Sequence, residues 1–336
     1  MTRKHTRAFL VLLTVVAAGC VRSYARWPAL EFRHLSYVSE KGERWPHRYV
    51  CLDGVAKTYK MHRPVRVSYI ELNPGGKRAV VFIHGLGSYL KFWRYQVDRF
   101  AARGYRVVAL DMVGFGKSDK PASFPYTMEA MADVVRELCQ KLGIERPVLV
   151  GHSMGGQTAL SFAIRYPDEL SALVLASPAG FERFSKKERL WFEKVFTTSL
   201  VKDPGEYDIR GAVRYNNFAR WRKDLEWLVE ERVRLRGARD FESYAFANVK
   251  SVHGLADNNF VRDNLHRVKV PTLIVFGKTD RLIPNPFMHG GFTRWVMRHG
   301  EQNIRGSRLV GLARCGHSVQ LDCVDEFNAE VLAFIK

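Results

Sequence analysis

Short apolar runs alternate with helical patterns along most of this chain of 336 residues, and the alternation limits the folds that it can adopt. Uninterrupted apolar runs are typical of strands in a parallel sheet that helices cover on both faces. The order of the patterns predicts an α/β fold with a doubly wound, mostly parallel sheet. The apolar runs lie at residues 79–83, 107–110, 148–150, 173–176 and 273–276, and the helical patterns between them at 92–103, 128–142 and 157–166.

The alternation is interrupted between residues 181 and 268, where the sequence has charged, aromatic-rich helical stretches and no strand pattern. We interpret residues 181–268 as a helical cap inserted into a core that is formed by residues 48–180 and 269–336. An independent second domain is the alternative. It is less favoured because the strand pattern resumes after Pro271, so that the core needs residues from both sides of the insertion.

The segment Gly151-His152-Ser153-Met154-Gly155 joins a strand pattern to a helical pattern. It matches the G-x-S-x-G motif in the strand–turn–helix context that a nucleophilic serine requires. Gly151 and Gly155 allow close backbone approach around a strained turn, so that the Ser153 hydroxyl is presented at the carboxyl edge of the sheet. A glycine-rich turn without a catalytic role is the alternative, and the context favours a nucleophile.

Two further segments, Ile83-His84-Gly85-Leu86-Gly87 and residues 111–119, follow the third and fourth predicted strands. With the serine turn, they make the chain resemble the α/β-hydrolase superfamily from about Arg66 to the C-terminus. The pattern looks like the lid-bearing branch, which includes esterases, lipases and carbon–carbon bond hydrolases. A serine at position 153 sets the chain apart from the relatives that use aspartate there, the haloalkane dehalogenases and epoxide hydrolases.

The resemblance implies an oxyanion hole formed by the backbone N–H groups of Leu86 and Met154. Such donors stabilise the negative oxygen of a tetrahedral intermediate, and the Met154 N–H lies at a helix N-terminus, where negative charge is favoured. The other motif residues are expected to support the site without accepting the proton of the nucleophile. These supporting residues are His84, Gly85, Gly151, His152 and Gly155.

The general base should be a histidine that follows the acid along the chain, in the order Ser, Asp, His. His317 is the preferred base because it follows the last strand-like run, residues 307–312, and precedes a helical pattern. Asp280 is the preferred acid because it comes directly after the seventh strand pattern. Its role would be to fix the imidazole tautomer and stabilise the imidazolium. The less favoured candidates for the acid are Asp257, Asp263 and Asp322.

These residues predict a serine hydrolase that forms an acyl-enzyme and needs neither a cofactor nor a metal. Aromatic residues of the cap would favour a carboxylic ester of a fairly apolar substrate, as in carboxylesterases and lipases, although aromatic residues at helical spacing are more often packing residues. A carbon–carbon bond hydrolase with the same triad is one alternative, but residues 84–89 lack the Gly-Pro-Gly-like loop typical of that branch. A non-catalytic lipoprotein that binds a ligand is the other. The aromatic residues are Phe181, Phe184, Trp191, Phe192, Phe196, Trp221 and Trp227.

The first twenty residues have the pattern of an export signal, with three basic residues before an apolar run at residues 8–18. The run ends in Ala17-Ala18-Gly19-Cys20, which resembles the bacterial lipobox. The resemblance implies a signal peptide at residues 1–19, lipidation of Cys20, and a lipoprotein anchored on the periplasmic or outer face of a membrane. Plain secretion and an uncleaved anchor are the alternatives.

Basic residues are concentrated near this end, since residues 1–79 hold 15 Lys and Arg against 5 Asp and Glu in a chain of net charge +19. We interpret residues 20–47 as a basic surface tether that attracts anionic headgroups. Nucleic acid is not an expected partner because no nucleic-acid-binding motif accompanies the charge. The expected partners are a small acyl substrate and the membrane.

Four cysteines remain if Cys20 is lipidated. Export permits disulfides without requiring them, and the sequence leaves open whether Cys315 and Cys323 form one. Cys139 lies in a helical pattern and is expected to be a buried free thiol. No Cys or His spacing suggests a metal site.

Overall fold

The computed structural model describes residues 23–76 and 78–336. The predicted signal peptide, residues 1–19, and the predicted lipidation site, Cys20, lie outside the described residues. Within the two described ranges, no helix combines the length and the apolar character needed to cross a membrane.

The strands of the described residues form one mixed sheet. They are β1 (His47–Leu52), β2 (Val65–Leu72), β3 (Ala79–Ile83), β4 (Arg106–Leu110), β5 (Val148–His152), β6 (Ala172–Ala176), β7 (Thr272–Gly277) and β8 (Arg308–Leu312). Their order across the sheet is β1-β2-β4-β3-β5-β6-β7-β8. Strand β2 pairs antiparallel with β1 and β4, and the other neighbouring strands are parallel. The predicted doubly wound, mostly parallel α/β fold is confirmed.

Most helices of the described residues connect parallel strands, except the first, which joins the antiparallel β1 and β2, and the last two, which follow β8. The helices are α1 (Asp53–Thr58), α2 (Val97–Ala101), α3 (Met128–Lys141), α4 (Met154–Arg165), α5 (Lys186–Val195), α6 (Thr198–Lys202), α7 (Glu206–Asn217), α8 (Trp227–Leu235), α9 (Phe241–Ala256), α10 (Asn259–Asp263), α11 (Thr293–Asn303), α12 (Val319–Asp322) and α13 (Val324–Phe334). The helix predicted at residues 92–103 is shorter in the structure, because a 3-10 turn at Leu90–Trp93 precedes α2.

The central strands are buried along their whole length, which explains their uninterrupted apolar sequences. Residues 80–83 of β3 and every residue of β5, β6 and β7 are buried. Because parallel strands point the same way, the loops that follow β3, β5, β7 and β8 leave the sheet at one edge. That edge carries the serine turn and the segments that contain Leu86, Asp280 and His317.

The cap consists of helices rather than strands, and it lies between β6 and β7 in the chain. Helices α5 and α6 both pack on α9, and α7 packs on α8. A small apolar cluster of the cap centres on Leu225 and Val229, which are fully buried. This cluster also contains Tyr24, Tyr95 and Leu321 from outside residues 181–268, so the packed interior of the cap is shared with the rest of the protein.

The structure describes residues 23–47 of the predicted tether, residues 20–47, and several apolar side chains of this segment pack into the body of the protein. Phe32, Leu35, Tyr37 and Trp45 are all buried in the main hydrophobic core. Tyr24 is buried in the apolar cluster of the cap. The aromatic residues of this segment have no helical or strand period, because the segment follows an irregular path across the surfaces that bury them.

Candidate active site

Ser153 occupies the sharp turn between β5 and α4. Its backbone has φ +52° and ψ −113°, a region that residues with side chains rarely adopt and that is held here by its surroundings. The Ser153 N–H donates to the Ala176 carbonyl over 3.0 Å, and the Ser153 carbonyl accepts from the Ala179 N–H over 3.1 Å. A side chain at Gly151 would collide with the Gly155 carbonyl, so the turn requires glycine at that position.

His317 and Asp280 are hydrogen-bonded in the loops that follow β8 and β7. The Nδ1–H of His317 donates to Asp280 Oδ2 over 2.8 Å, and the Asp280 carboxylate is fully shielded from solvent. The other oxygen, Oδ1, accepts from the N–H groups of Leu282 at 2.8 Å and Ile283 at 3.1 Å. This arrangement leaves His317 Nε2 as the acceptor nitrogen, as a general base requires.

The loop that carries His317 is fixed at several points. Cys315 and Cys323 form a disulfide, which the sequence had left open. The carboxylate of Asp322, a less favoured candidate for the acid, accepts from the Gly316 N–H over 2.6 Å. Thr279 Oγ1 donates to the Cys315 carbonyl over 2.8 Å and so joins this loop to the one that carries Asp280. These contacts give His317 a fixed backbone position.

The other competing acids lie away from His317. Asp257 is largely exposed and lies 3.8 Å from Arg189. Asp263 is also exposed and lies 3.8 Å from Arg262. Asp280 is therefore the carboxylate that the structure pairs with His317.

Leu86 and Met154 both lie beside the serine turn. Met154 is the first residue of α4, and Leu86 is half-buried in the loop after β3. In the described part of the chain, neither of their N–H groups donates to an acceptor in a loop, turn or cap. Two free amides next to a serine can accept a developing oxyanion.

His84 holds the loop that contains Leu86. Its Nδ1–H donates to the Gly85 carbonyl over 2.8 Å, and its Nε2 accepts from the Met112 N–H over 3.0 Å. Complete burial lowers the pKa of His84 to about 4, so the ring is neutral. A neutral ring can donate one hydrogen bond and accept the other. His84 is thus a positioning residue for the loop after β3.

His152 packs between the same loop and His317. Its Nε2 lies 3.1 Å from the His317 carbonyl oxygen, and the two rings are 5.0 Å apart. Burial is the main cause, and the proximity of His317 the second cause, of a pKa for His152 well below its ordinary value. A neutral imidazole in this position supports the His317 loop without adding a charge beside it.

Ser153 and His317 face one cavity of about 710 Å³ between the sheet and the cap. No hydrogen bond joins Ser153 Oγ to His317 in the described residues, and such bonds are often long in a hydrolase without substrate. Four of the predicted aromatic residues, Phe184, Trp191, Phe192 and Phe196, line this cavity. The other three, Phe181, Trp221 and Trp227, are packing residues in the apolar clusters.

A family model described as the alpha/beta hydrolase fold matches residues 78–323. The chain belongs to this family. The matched residues begin just before β3 and end at Cys323, so they include the serine turn, the Asp280 loop and His317. The chain is accordingly a hydrolase of the α/β fold.

The relatives of this α/β-hydrolase include two whose names specify a substrate. It is 30% identical over 277 residues to the 2-hydroxy-6-oxo-6-phenylhexa-2,4-dienoate hydrolase of Comamonas testosteroni, covering 80% of this chain and 91% of the relative. It is 31% identical to the 2-hydroxy-6-oxononadienedioate/2-hydroxy-6-oxononatrienedioate hydrolase of Burkholderia vietnamiensis strain G4, covering 81% and 91%. Among solved structures, an esterase from Exiguobacterium antarcticum matches with a TM-score of 0.67 and 25% identity, over 81% of this chain and 96% of the esterase.

Sequence reasoning missed the charged residues of this hydrolase's cavity, Arg232 and Glu182. Arg232 lies on α8, four residues after Leu228 and three before Leu235, and all three line the cavity. Residues at these spacings share one helix face. This spacing indicates that Arg232 shares a helix face with the two leucines. The sequence does not show that this face of α8 borders the cavity.

Proposed function

We propose that this α/β-hydrolase cleaves its substrate at a carbonyl group through an acyl-enzyme, with Ser153 as nucleophile, His317 as base and Asp280 as the acid that orients it. His317 takes the Ser153 proton as Oγ attacks, and the Leu86 and Met154 amides receive the oxyanion. His317 returns the proton to the leaving group and then activates the water that releases the acid. The His317–Asp280 hydrogen bond beside Ser153 supports this assignment.

The bond that is broken has two candidates. The substrates in the names of the two relatives contain a ketone and a carboxylate but no ester, so hydrolysis at the ketone breaks a carbon–carbon bond. The sequence favoured an ester because of the aromatic residues of the cap, and residues 84–89 lack the Gly-Pro-Gly-like loop typical of carbon–carbon bond hydrolases. The relatives favour the carbon–carbon bond, and we propose it as the first candidate because of Arg232.

Arg232 places a cation in the cavity wall beside the oxyanion loop. Its Nη2–H donates to the Gly87 carbonyl over 2.5 Å, one residue from Leu86. Within the described chain, no carboxylate lies within ion-pair distance of Arg232, whereas the neighbouring Arg234 is paired with Glu230 at 2.7 Å. A guanidinium facing an apolar cavity can bind a carboxylate through two parallel hydrogen bonds. The single observation that carries the first candidate is this half-buried arginine without an acidic partner.

Breaking a carbon–carbon bond needs one step more than ester hydrolysis. The 2-hydroxydienoate must first become its keto tautomer, in which the 2-hydroxyl proton has been lost and the carbon next to the ketone has gained a proton. After Ser153 has added, that carbon leaves with the electron pair of the broken bond, which is delocalised onto the 2-oxo oxygen, and the proton returned by His317 gives the neutral enol. A carboxylate held by Arg232 would fix that end of the substrate while the ketone lies in the oxyanion hole. The products would be a carboxylic acid and a shorter 2-hydroxydienoate, with one water consumed.

An ester of an apolar acid is the second candidate. The cavity is lined mostly by apolar and aromatic side chains, including the four cap aromatics, which offer a large contact area for an acyl chain. The similarity to the Exiguobacterium antarcticum esterase also supports it. An ester needs no cation beyond the oxyanion hole, so Arg232 would not bind this substrate and would act only through its hydrogen bond to the Gly87 carbonyl.

The two candidates are separated by changing Arg232. With 2-hydroxy-6-oxo-6-phenylhexa-2,4-dienoate and p-nitrophenyl hexanoate as substrates, Arg232→Met should raise KM for the dienoate roughly 10- to 100-fold, since a hydrogen bond to a charged group contributes about 1.5–3 kcal/mol. The ester kinetics should change much less, and in kcat rather than KM, because the ester loses only the support that Arg232 gives to the Gly87 carbonyl beside the oxyanion loop. Arg234→Met is the matched control on the same helix, and Ser153→Ala should abolish both activities.

The outcomes exclude one another. Turnover of the ester alone, with KM for the ester unchanged in Arg232→Met, would establish the second candidate. A folded wild-type protein that turns over neither substrate and whose Ser153 does not react with a fluorophosphonate would support a binding module instead.

We also propose that the mature protein begins at a lipidated Cys20 and is exported to a membrane surface. The proposal rests on the basic, apolar and small-residue succession of residues 1–20. Intact-mass analysis of protein from its native membrane should find Cys20 at the N-terminus with added acyl mass. A terminus elsewhere, or an unmodified Cys20, would refute it.

A further inference from the structure

Exposed large apolar side chains are concentrated on one part of the surface. The structure describes nine such residues in 23–76 and 78–336, and six of them lie on α5, on α6, in the loop before α11 or at the start of α11. We call these six the rim patch. They are Leu190, Val195, Leu200, Phe287, Phe292 and Trp295.

Ring contacts link parts of the rim patch near the opening of the cavity. The rings of Trp191 on α5 and Phe287 are stacked with centroids 6.3 Å apart, which joins α5 to the loop before α11. Phe292 contacts Trp295 edge-on at 5.0 Å, which joins this loop to α11. Val195, Leu200 and Phe287 line the cavity and are also exposed, so they mark its mouth.

The exposure of these residues is unusual for a surface that contacts only water. Phe287 is 81% exposed and Trp295 is 63% exposed. Scattered single apolar residues are common on protein surfaces, but apolar residues grouped beside a cavity are typical of an interaction site. The patch therefore requires a partner with an apolar surface.

The charges beside the rim patch are mostly basic, since α5 carries Lys186, Lys187, Arg189 and Lys194 against Glu188 and Glu193. Residues 281–298 contain three arginines and no aspartate or glutamate. In the described chain, no carboxylate lies within ion-pair distance of Arg294, Arg298 or Lys194. The partner should therefore be apolar and carry negative charge at its edge.

We propose that the rim patch docks on an anionic lipid bilayer, with the mouth of the cavity open to the membrane. Tryptophan and phenylalanine side chains enter the boundary between headgroups and acyl chains, while lysine and arginine contact anionic headgroups. A second copy of the chain is a poorer partner, because a two-fold contact through this patch would place the arginines of one copy against those of the other. The apolar ester of the second candidate would then enter the cavity from the lipid.

Docking is tested at position 287 with a fluorophore that reports the polarity of its surroundings. The full chain carries Cys20→Ser and Cys51→Ser, so that Phe287→Cys provides the accessible thiol, and vesicles contain equal parts phosphatidylglycerol and phosphatidylcholine. The emission should shift to the blue with these vesicles and much less with phosphatidylcholine alone. Tyr207→Cys is the matched control, because Tyr207 is 87% exposed and lies outside the rim patch.

A second measurement is the partition of unlabelled protein onto the same vesicles. Phe287→Ser combined with Trp295→Ser should weaken partition roughly tenfold or more, since each large apolar side chain loses part of its burial. Tyr207→Ser should not change it. Binding through the N-terminal segment without a blue shift at position 287 would overturn the proposal. A blue shift that needs no vesicles and grows with protein concentration would also overturn it, in favour of contact between copies.

Discussion

The sheet core and the cap are held in place by different kinds of interaction. In the core, Ser153 and its loop are fixed by main-chain hydrogen bonds to Ala176 and Ala179, and the flanking strands are fully buried. The cap is joined to the core and to itself mainly through side chains, such as the buried pair between Lys91 and Glu231 at 2.6 Å. Main-chain geometry fixes the reacting groups, and side-chain contacts fix the walls around them.

This difference separates chemistry from selectivity. Main-chain hydrogen bonds do not depend on the charge of any side chain, so changes of pH or salt affect them little. Ion pairs depend on both, and those near the surface are weakened by salt. We therefore expect changes in the core triad to affect catalysis without loss of the fold, and changes at the contacts of the cap to affect stability and the cavity.

The largest expected effect is in the core. Asp280→Asn should lower kcat by on the order of 10⁴, because an amide favours the wrong imidazole tautomer and does not stabilise the imidazolium. The midpoint of thermal unfolding should change little, because the side chain keeps its shape and its contacts with the Leu282 and Ile283 amides. Steady-state kinetics and thermal unfolding measure the two quantities.

The matched control is Asp257→Asn, which changes an exposed aspartate of the cap. It should alter neither quantity. A large loss of kcat in Asp257→Asn together with a small one in Asp280→Asn would show that the acid has been assigned wrongly. It would also show that a residue of the cap, and not only the core, takes part in catalysis.

The core could be predicted because its signals are local in the sequence. The serine turn is five consecutive residues, and each central strand, from β3 to β7, is a short apolar run whose burial follows from its composition. Asp280 and His317 were predicted from their places after β7 and β8, and the structure joins them by a hydrogen bond. In each case, the position after a strand fixes the edge of the sheet where the side chain lies.

The walls of the cavity could not be predicted in the same way. Arg232 contacts the Gly87 carbonyl across 145 residues of sequence, and Lys91 meets Glu231 across 140. Such contacts depend on how the cap folds over the core. The burial of Phe32 was missed for the same reason, since a segment without period gives no sign of the surface that covers it.

The second prediction concerns the buried contact between core and cap. Glu231 on α8 accepts hydrogen bonds from Lys91 and from the Tyr89 hydroxyl, both of which lie in the core. Glu231→Ala should reduce the free energy of unfolding by about 3–5 kcal/mol, because it leaves a buried lysine without its counter-charge. Chemical denaturation followed by circular dichroism measures this change.

The control for Glu231 is Glu242, which pairs with Lys202 on the surface of the cap. Glu242→Ala should leave stability unchanged, because exposed ion pairs contribute little. Equal effects of the two substitutions would mean that the cap is not held to the core through its buried charges.

The smallest expected effect is a pH dependence at His289, which joins the loop before α11 to the cap. Its Nδ1 contacts Glu182, its Nε2 lies 3.0 Å from Glu188 Oε1, and its ring stacks on Phe184. Partial burial by itself would lower the pKa of His289, but the two carboxylates outweigh burial and raise the pKa above its ordinary value. Burial raises the pKa of Glu182 despite its hydrogen bond from His289, whereas hydrogen bonds from Ser185 lower that of Glu188.

The direction of the effect follows from the pKa of His289. A group whose pKa is raised by folding contributes its full stabilisation below the pKa of the unfolded chain, near 6.5, and loses it as the pH rises through the folded value. Hydrogen exchange of residues 182–195 and 285–292 should therefore, after correction for the intrinsic rate, become about two- to fivefold faster from pH 6 to pH 9, as expected for a partly exposed ion pair. In His289→Gln this change should disappear, while exchange in β5 and α4 should be the same in both proteins. If the corrected exchange rate of the wild-type cap does not depend on pH, this contact is held by packing on Phe184 rather than by charge. The cap would then be stabilised by packing, as the core is, and the difference between the two regions would be smaller.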